Sequence, residues 1–176
     1  MDNFVLMKYS KEIEELGLSL GWEKTLFLDR DFVFIKTDNK KELLKKIREA
    51  KGKLVIFEPS SEEMLRFSLE KTKVDIIVGI EKIHPKDSLH YVRSGLDQIL
   101  CRIANAQEKT IAFSFNDILN NVDRARIMSR MNLNLKLCKK YNVKTVFSTF
   151  AKSKGELVSN KDLKNMFSLL QQNLNK

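Results

Sequence analysis

Short apolar segments with the character of β-strands recur along the whole chain, and segments with helical periodicity separate most of them. The apolar runs are continuous and do not alternate with polar residues, which predicts strands that are buried on both faces. Strands that alternate with helices predict right-handed βαβ units and a parallel sheet, but the pattern does not decide whether that sheet is open or closed into a barrel. The seven predicted strands are NFVLMKY, TLFLD, FVFIK, LVIFE, VDIIVGI, TIAFSF and TVFST.

The second and third of these strands are separated by only Asp29, Arg30 and Asp31. That is too short for the crossover that joins two neighbouring parallel strands. We therefore expect either a hairpin at this point or that one of the two segments is not a strand. The predicted helices cover about residues 10–21, 38–51, 94–107, 121–141 and 160–173, and a further helix begins near residue 60.

Length and composition predict one soluble domain that covers residues 1–176. The apolar runs are far shorter than the ~20 residues needed to cross a bilayer, and no charged-then-apolar leader opens the chain. Cys101 and Cys138 lack the spacing of a metal site and have apolar neighbours, so we expect them to be reduced. We expect a cytoplasmic protein that does not bind membranes.

The positive charge of the chain is concentrated in one segment. The formal net charge is +9, and residues 121–154 hold nine basic residues against one acidic residue. Such a local excess indicates a polyanionic partner: RNA, DNA, an anionic membrane surface or an acidic protein.

Most of that charge lies on the helix predicted over 121–141. On a helical wheel, an apolar core stripe is formed by Ile127, Met128, Met131, Leu135 and Cys138. The opposite side is basic and partly apolar, which fits a solvated face, a surface for an RNA backbone, or a protein interface. Three arginines within two turns suit phosphate binding, and the flanking strands argue against a helix lying on a membrane. The candidate RNA or partner contacts on this helix are Arg124, Arg126, Arg130, Lys136 and Lys140, and the candidate protein-interface residues are Leu133 and Leu137.

A second candidate site lies around Arg93. Ser94 and Asp97 have the S-x-x-D spacing of a capping box, which predicts a helix that begins at about residue 94. A cation just before a helix opposes the helix dipole, so Arg93 either binds an anion there or points into water. Arg102 lies on the more polar side of the same helix and is expected to join Arg93.

The chain is poor in groups that carry out chemistry. It has two histidines, His84 and His90, which lie outside any metal-binding motif, and its glycines form no phosphate-binding loop. Carboxylates at strand ends, such as Glu58 and Glu81, are more often caps or ion-pair partners than catalysts. We therefore predict no catalytic residue, no metal ligand and no cofactor bound by this chain, and a role in binding.

Four motifs together identify a family that this sequence resembles. They are RSGLDQ from residue 93, the strand TIAFSF, RARIMSRM from residue 124 followed by the strand TVFST, and SNKDLKNMFSLL from residue 159. In this order and spacing they resemble the ribonuclease P protein component 3 family, over roughly residues 74–172. The first eighty residues match only loosely.

The resemblance implies an α/β fold, namely a TIM-like parallel α/β barrel. A typical barrel of eight strands has ~250 residues, so an incomplete or seven-stranded barrel is expected here. It also implies a non-catalytic subunit that helps the ribonuclease P RNA to remove the 5′ leader of precursor tRNA. The implied partners are that RNA, a Pop5-type protein subunit and other ribonuclease P proteins, with magnesium serving the RNA. Arg93, Arg126 and Arg130 match the motif positions most directly.

Two alternatives remain open from the sequence. One is a divalent-metal phosphoesterase of the related polymerase-and-histidinol-phosphatase barrel group. The other is a protein-interaction module that does not contact RNA.

Overall fold

The computed structural model describes residues 2–172, in which strands and helices alternate along most of the chain. No helix in this part of the chain is both long and apolar enough to span a membrane. The strands are β1 (Asn3–Val5), β2 (Thr25–Phe27), β3 (Phe32–Thr37), β4 (Leu54–Pro59), β5 (Ile76–Val78), β6 (Thr110–Ser114) and β7 (Lys144–Ser148). The helices are α1 (Lys11–Ser19), α2 (Lys40–Glu49), α3 (Glu62–Lys71), α4 (Gln98–Ala106), α5 (Phe115–Leu119), α6 (Arg124–Lys140) and α7 (Asn160–Gln172), with 3-10 turns at Ile80–Lys82 and Lys154–Glu156.

Every pair of neighbouring strands is parallel, so the predicted α/β class and strand direction are confirmed. Strands β3 to β7 form one five-stranded sheet in chain order, and β1 pairs with β2 in a second sheet. Single bridges join the two sheets at both junctions, Leu28 to Phe32 and Val5 to Ala151. The seven predicted strands are thus all present, as two sheets instead of one continuous ladder.

Hydrogen bonds beside the second bridge hold the beginning of the described chain against its last strand. The Phe4 N–H donates to Ser148 Oγ at 2.7 Å across 144 residues of sequence. The Thr149 hydroxyl donates to Asn3 Oδ1 at 2.6 Å. Strand β1 is therefore held by β2 on one side and by residues 148–151 on the other side.

Both faces of the five-stranded sheet are buried, as the continuous apolar runs predict, because alternate residues of each strand face opposite sides. One face contacts the helices through residues such as Ile35, Phe57 and Phe113. The other face forms a separate apolar cluster that receives a side chain from each of the seven strands. That cluster contains Phe4, Leu26, Phe32, Ile56, Ile76, Val78, Ala112 and Phe150, with Leu6, Leu28, Phe34, Leu54 and Val146 packed against it.

The expectation of a hairpin or a false strand at residues 29–31 is wrong. Strands β2 and β3 lie in different sheets, so no crossover has to fit between them. The Asp31 carboxylate accepts the Phe27 N–H at 2.8 Å, and the Asp31 N–H donates back to the Phe27 carbonyl at 3.0 Å. Asp29 adopts a left-handed φ of 64°. The chain makes a compact loop and continues as a second strand.

The predicted start of the helix at residue 94 is also wrong, since α4 begins at Gln98. Its N-cap is Asp97, whose Oδ1 accepts the Leu100 N–H at 2.7 Å. Gly95 has a φ of 93°, and a Cβ at that position would lie 2.7 Å from the Ile80 carbonyl oxygen. The glycine of the RSGL motif therefore ends any continuous helix and allows the loop to pack against residue 80.

Candidate nucleic-acid interface

Helix α6 carries most of the excess charge and packs against the helical face of the sheet. Asp123 caps it, because Asp123 Oδ1 accepts the Arg126 N–H at 3.1 Å. Ile127, Met131, Leu135 and Cys138 are buried, and Met128 is half-buried against the same core, which confirms the predicted core stripe.

Arg130, which the wheel places on the outer basic face, is only 1% exposed. Its Nε and Nη2 donate to Asp87 Oδ1 at 2.9 and 2.7 Å, and its Nη1 donates to the Glu81 and His84 carbonyls at 2.6 Å each. The outward placement is wrong because the loop 81–95, which no helical wheel can show, covers this flank of α6. In this structure the Arg130 guanidinium binds that loop and does not face solvent.

Asn134, one turn further along α6, holds the same loop. Its Nδ2 donates to Glu81 Oε1 at 2.8 Å and to the Ser94 carbonyl at 2.9 Å. Burial raises the pKa of Glu81 to about 7, although the hydrogen bond from Asn134 acts in the opposite direction. Sequence reasoning missed Asn134, since a lone asparagine between leucines carries no signal of a contact 53 residues away.

The two arginines at the start of α6 also have partners within the chain. Arg126 donates from Nη1 to the Pro85 carbonyl at 3.0 Å, and its Nε lies 3.5 Å from Asp123 Oδ2. Arg124 donates from Nη2 to the Leu119 carbonyl at 2.9 Å. The arginines in the first half of α6 thus donate many of their hydrogen bonds to neighbouring loops.

The second half of α6 is different. Lys136, Lys139 and Lys140 are exposed, and no carboxylate in the described residues pairs with them. Arg102 of α4 lies with its Cζ 5.6 Å from the centroid of the Tyr141 ring, and Lys140 Nζ lies at the same distance. We call Arg102, Lys136, Lys139, Lys140 and the exposed Lys144 the lysine surface.

The lysine surface bears on the candidate residues in three ways. Arg102 lies beside Tyr141 at the C-terminal end of α6, and its expected association with Arg93 stays a prediction. Lys139 and Lys144 were missed, although their position in the basic segment was a usable signal. The two candidate leucines are both half-buried, and Leu137 packs against the main core instead of facing outward with Leu133.

Arg93 lies in the loop before α4, four residues ahead of the cap Asp97. Its backbone N–H donates to Asp87 Oδ1 at 2.9 Å, and its Nη2 lies 3.7 Å from Glu62 Oε1. The same Glu62 oxygen is 2.7 Å from Nε2 of the buried His84. Burial and the neighbouring Arg93 lower the pKa of His84, while Glu62 opposes that change.

A cavity of ≈ 540 Å³ opens between α3 and the start of α4, beside Arg93. It has an apolar part that includes Leu96 and Leu100, and polar groups of both signs at its edge. Its lining residues are Glu62, Arg66, His84, Tyr91, Val92, Arg93, Ser94, Gly95, Leu96, Asp97, Ile99 and Leu100.

The C-terminal ends of the parallel strands, where α/β enzymes carry their active sites, hold an ion-pair network. Lys82 Nζ lies 2.7 Å from Asp117 Oδ1 and 3.1 Å from Glu58 Oε2, and Lys36 Nζ lies 2.6 Å from Glu58 Oε1. Within residues 2–172, no three His, Cys, Asp or Glu side chains converge as metal ligands. An ammonium group therefore lies between the carboxylates at this end of the sheet.

No model of a protein family matches this chain. Curated relatives named Ribonuclease P protein component 3 do. The one from Methanocaldococcus jannaschii is 31% identical over 142 residues, which is 78% of this chain and 58% of the relative. The one from Methanococcus maripaludis strain C7 is 32% identical over 148 residues, which is 82% of this chain and 60% of the relative. The chain thus spans about three-fifths of the length of these relatives.

A solved structure is also similar. A chain in the cryo-EM structure of archaeal ribonuclease P with mature tRNA aligns at a TM-score of 0.68 and 26% identity, covering 96% of this chain and 72% of that chain. The aligned regions extend well beyond residues 74–172, so the first eighty residues match better than the motifs alone indicate.

Proposed function

We propose that this chain, a homologue of ribonuclease P protein component 3, is a protein subunit of ribonuclease P. In this role it supports the catalytic RNA while that RNA removes the 5′ leader from precursor tRNA. The observation that carries the proposal is the match to a chain of archaeal ribonuclease P over 96% of this chain, at 26% identity. The curated relatives at 31–32% identity also support it.

The chain itself is proposed to be non-catalytic. The end of the sheet that would hold an active site is occupied by the Lys82 ion pairs with Asp117 and Glu58. The Lys82 ammonium neutralises charge on both carboxylates, and within residues 2–172 no third His, Cys, Asp or Glu side chain joins them to complete a metal site. Catalysis, and the magnesium it uses, is therefore assigned to the RNA.

The proposed partners are the ribonuclease P RNA, a Pop5-type subunit, the other ribonuclease P proteins and, through the assembly, precursor tRNA in the cytoplasm. We assign the phosphate contacts to the lysine surface, because its cations have no carboxylate partner in the described residues and lie near one end of α6. Arg93, Arg124 and Arg126 remain proposed contacts that use their exposed parts. Arg130 is proposed to act only by holding the loop 81–95.

The test is cleavage of precursor tRNA by a reconstituted ribonucleoprotein at moderate magnesium, with and without this chain. Omission should greatly reduce the 5′ cleavage rate, and the chain alone should not cleave. Undiminished cleavage without the chain would refute the proposal.

A pair of variants tests the lysine surface by measuring how tightly each variant binds the ribonuclease P RNA. Replacing three of its lysines with alanine should weaken RNA binding, because each neutralised phosphate releases counterions. A control with three other exposed and unpaired lysines replaced should bind normally despite the same loss of charge. The test variant changes Lys136, Lys139 and Lys140, and the control changes Lys24, Lys41 and Lys73.

A further inference from the structure

Exposed apolar side chains cluster around the cavity beside Arg93. Tyr91 is 65% exposed and Ile99 is 53% exposed, and both line the cavity together with Val92. Leu89 is 92% exposed, in a turn in which the Ser88 N–H donates to the Tyr91 carbonyl at 3.1 Å. Aromatic and branched apolar residues grouped at one exposed place are typical of a surface that another molecule covers.

The charges around this cavity do not favour a polyanion. The two arginines in its lining are balanced by the carboxylates of Glu62 and Asp97. Arg66 Nε lies 2.7 Å from Glu70 Oε1, outside the lining, and Asp97 is engaged in capping α4. The lysine surface, by contrast, consists of cations without carboxylate partners. An RNA backbone would gain little at the cavity, whereas an apolar protein segment would remove apolar surface from water.

The wall of the cavity is held in place from behind. The Arg130 guanidinium binds Asp87 and the Asn134 amide binds the Ser94 carbonyl, so α6 fixes both ends of the segment that carries Tyr91 and Val92. A site whose shape exists before binding loses less conformational entropy when it is occupied. The buried polar contacts therefore prepare the loop for recognition.

We propose that this cavity and its apolar rim are the docking groove for a protein subunit of the same ribonucleoprotein, a proposal that rests on the proposed function. The occupant presents an apolar side chain to the space between Ile99 and Val92, with a carboxylate next to it for Arg93. In the described residues, the Arg93 side chain pairs with one carboxylate, Glu62 at 3.7 Å, and Glu62 also lies 2.7 Å from His84. A single carboxylate of the occupant can therefore pair with Arg93, without the row of negative charges that the balanced lining disfavours. Protein therefore binds at this groove and RNA at the lysine surface.

The experiment compares the full chain with Ile99→Asp in binding to the purified Pop5-type subunit and to each other protein subunit. Binding is measured in about 1 M salt, where screening limits exposed ion pairs to about 3 Å. Ile99 is the second residue of α4, so aspartate there suits the helix dipole and should not unfold the chain. The matched control is Val122→Asp, which adds the same charge at a fully exposed position between α5 and α6.

Ile99→Asp should weaken binding of one protein subunit by about 30-fold, the size of an interface hot spot. Val122→Asp should bind like the wild type. Both variants should bind the ribonuclease P RNA alike at low salt. Equal binding of the two variants to every protein subunit would overturn the proposal, as would the absence of any wild-type binding.

A selective loss of RNA binding in Ile99→Asp would also overturn it and would make RNA the occupant. The proposed function is decided separately, by cleavage with and without the wild-type chain. Omission of the chain could leave cleavage unchanged while Ile99→Asp still disrupts a protein complex. That result would refute the proposed function and support the proposed docking groove.

Discussion

Replacing Arg130 with methionine should destabilise the fold far more than it alters direct contacts with RNA. The substitution keeps the unbranched stem of the side chain but removes the guanidinium, which donates to Asp87 Oδ1 and to the carbonyls of Glu81 and His84. Asp87 keeps the hydrogen bond from the Arg93 N–H but loses its charged partner, and two loop carbonyls lose the Arg130 donor.

The size of the effect follows from burial. Removing one member of a buried ion pair costs about 3–5 kcal/mol, and each lost hydrogen bond costs about 1 kcal/mol. The Asp87 side chain is 28% exposed, so water partly compensates its charge. We therefore expect a loss of about 3–4 kcal/mol in the free energy of unfolding. For a chain of this length, that corresponds to a fall in Tm of roughly 6–15 °C.

The measurement is urea unfolding followed by circular dichroism, with Lys136→Met as the matched control. Lys136 is exposed and has no carboxylate partner in the described residues, so its replacement should change stability by less than about 0.5 kcal/mol. A cycle with Asp87→Asn should give a coupling energy of about 1–3 kcal/mol with Arg130.

Equal stability of Arg130→Met and Lys136→Met would refute this reasoning. Opposite results are expected for RNA binding under conditions in which both variants are folded. Lys136→Met should reduce the salt dependence of binding, and Arg130→Met should leave it unchanged. If instead Arg130→Met is the one that reduces the salt dependence, Arg130 contacts phosphate after all.

Three further predictions concern pH, salt and thiol reactivity. The pKa of Glu81 is raised to about 7 by burial, whereas an unfolded glutamate titrates near about 4.3. Stability should therefore fall by about 3–4 kcal/mol as pH rises between these values. Urea unfolding at several pH values should show that Glu81→Gln removes the fall, and parallel profiles would contradict this. If Lys140 contacts a phosphate, Lys140→Ala should reduce the slope of log K for RNA binding against log salt by about 0.7–0.9. The control Lys41→Ala should leave that slope unchanged. A reduced slope for Lys41→Ala alone would place the RNA on α2. Cys101 and Cys138 are buried, and contact between the two thiols together with burial raises the pKa of Cys138. Iodoacetamide should therefore label neither cysteine until the protein unfolds, and rapid labelling of the native chain would show that α4 and α6 separate.

Much of the fold could be predicted because the strands have two buried faces. Runs such as those around Ile56 and Ile77 are apolar at every position, since one set of side chains packs against helices and the other set packs in the second apolar cluster. The core stripe of α6 was predictable for a similar reason, because Ile127 and Leu135 follow the period of the helix. In both cases the spacing of apolar residues along the element indicates which of its side chains are buried.

The candidate site was less predictable because its contacts are distant in sequence. A helical wheel gives the direction in which Arg130 leaves the helix axis. It does not show the loop that covers Arg130, because the loop residues that bind it lie 43 to 49 positions earlier in the sequence. Ser94 and Asp97 are both residue types that cap helices well, so the sequence allows the helix to begin after either of them. Gly95 decides between them, and its left-handed φ arises from close packing against Ile80.

The bonds from Phe4 to Ser148 and from Asn3 to Thr149 also bear on how the protein is made. A ribosome adds roughly 5–20 residues per second, so the 144 residues between Phe4 and Ser148 take roughly 7–30 s to synthesise. During that time β1 has β2 as its only strand neighbour, and Phe4 and Val5 lack the residues that later cover them. The emerging polypeptide therefore exposes an apolar, half-paired strand until β7 has left the exit tunnel. Chaperones that bind apolar segments of nascent chains should accordingly be found on this part of the chain, and should leave once residue 151 is free to form its bridge with Val5.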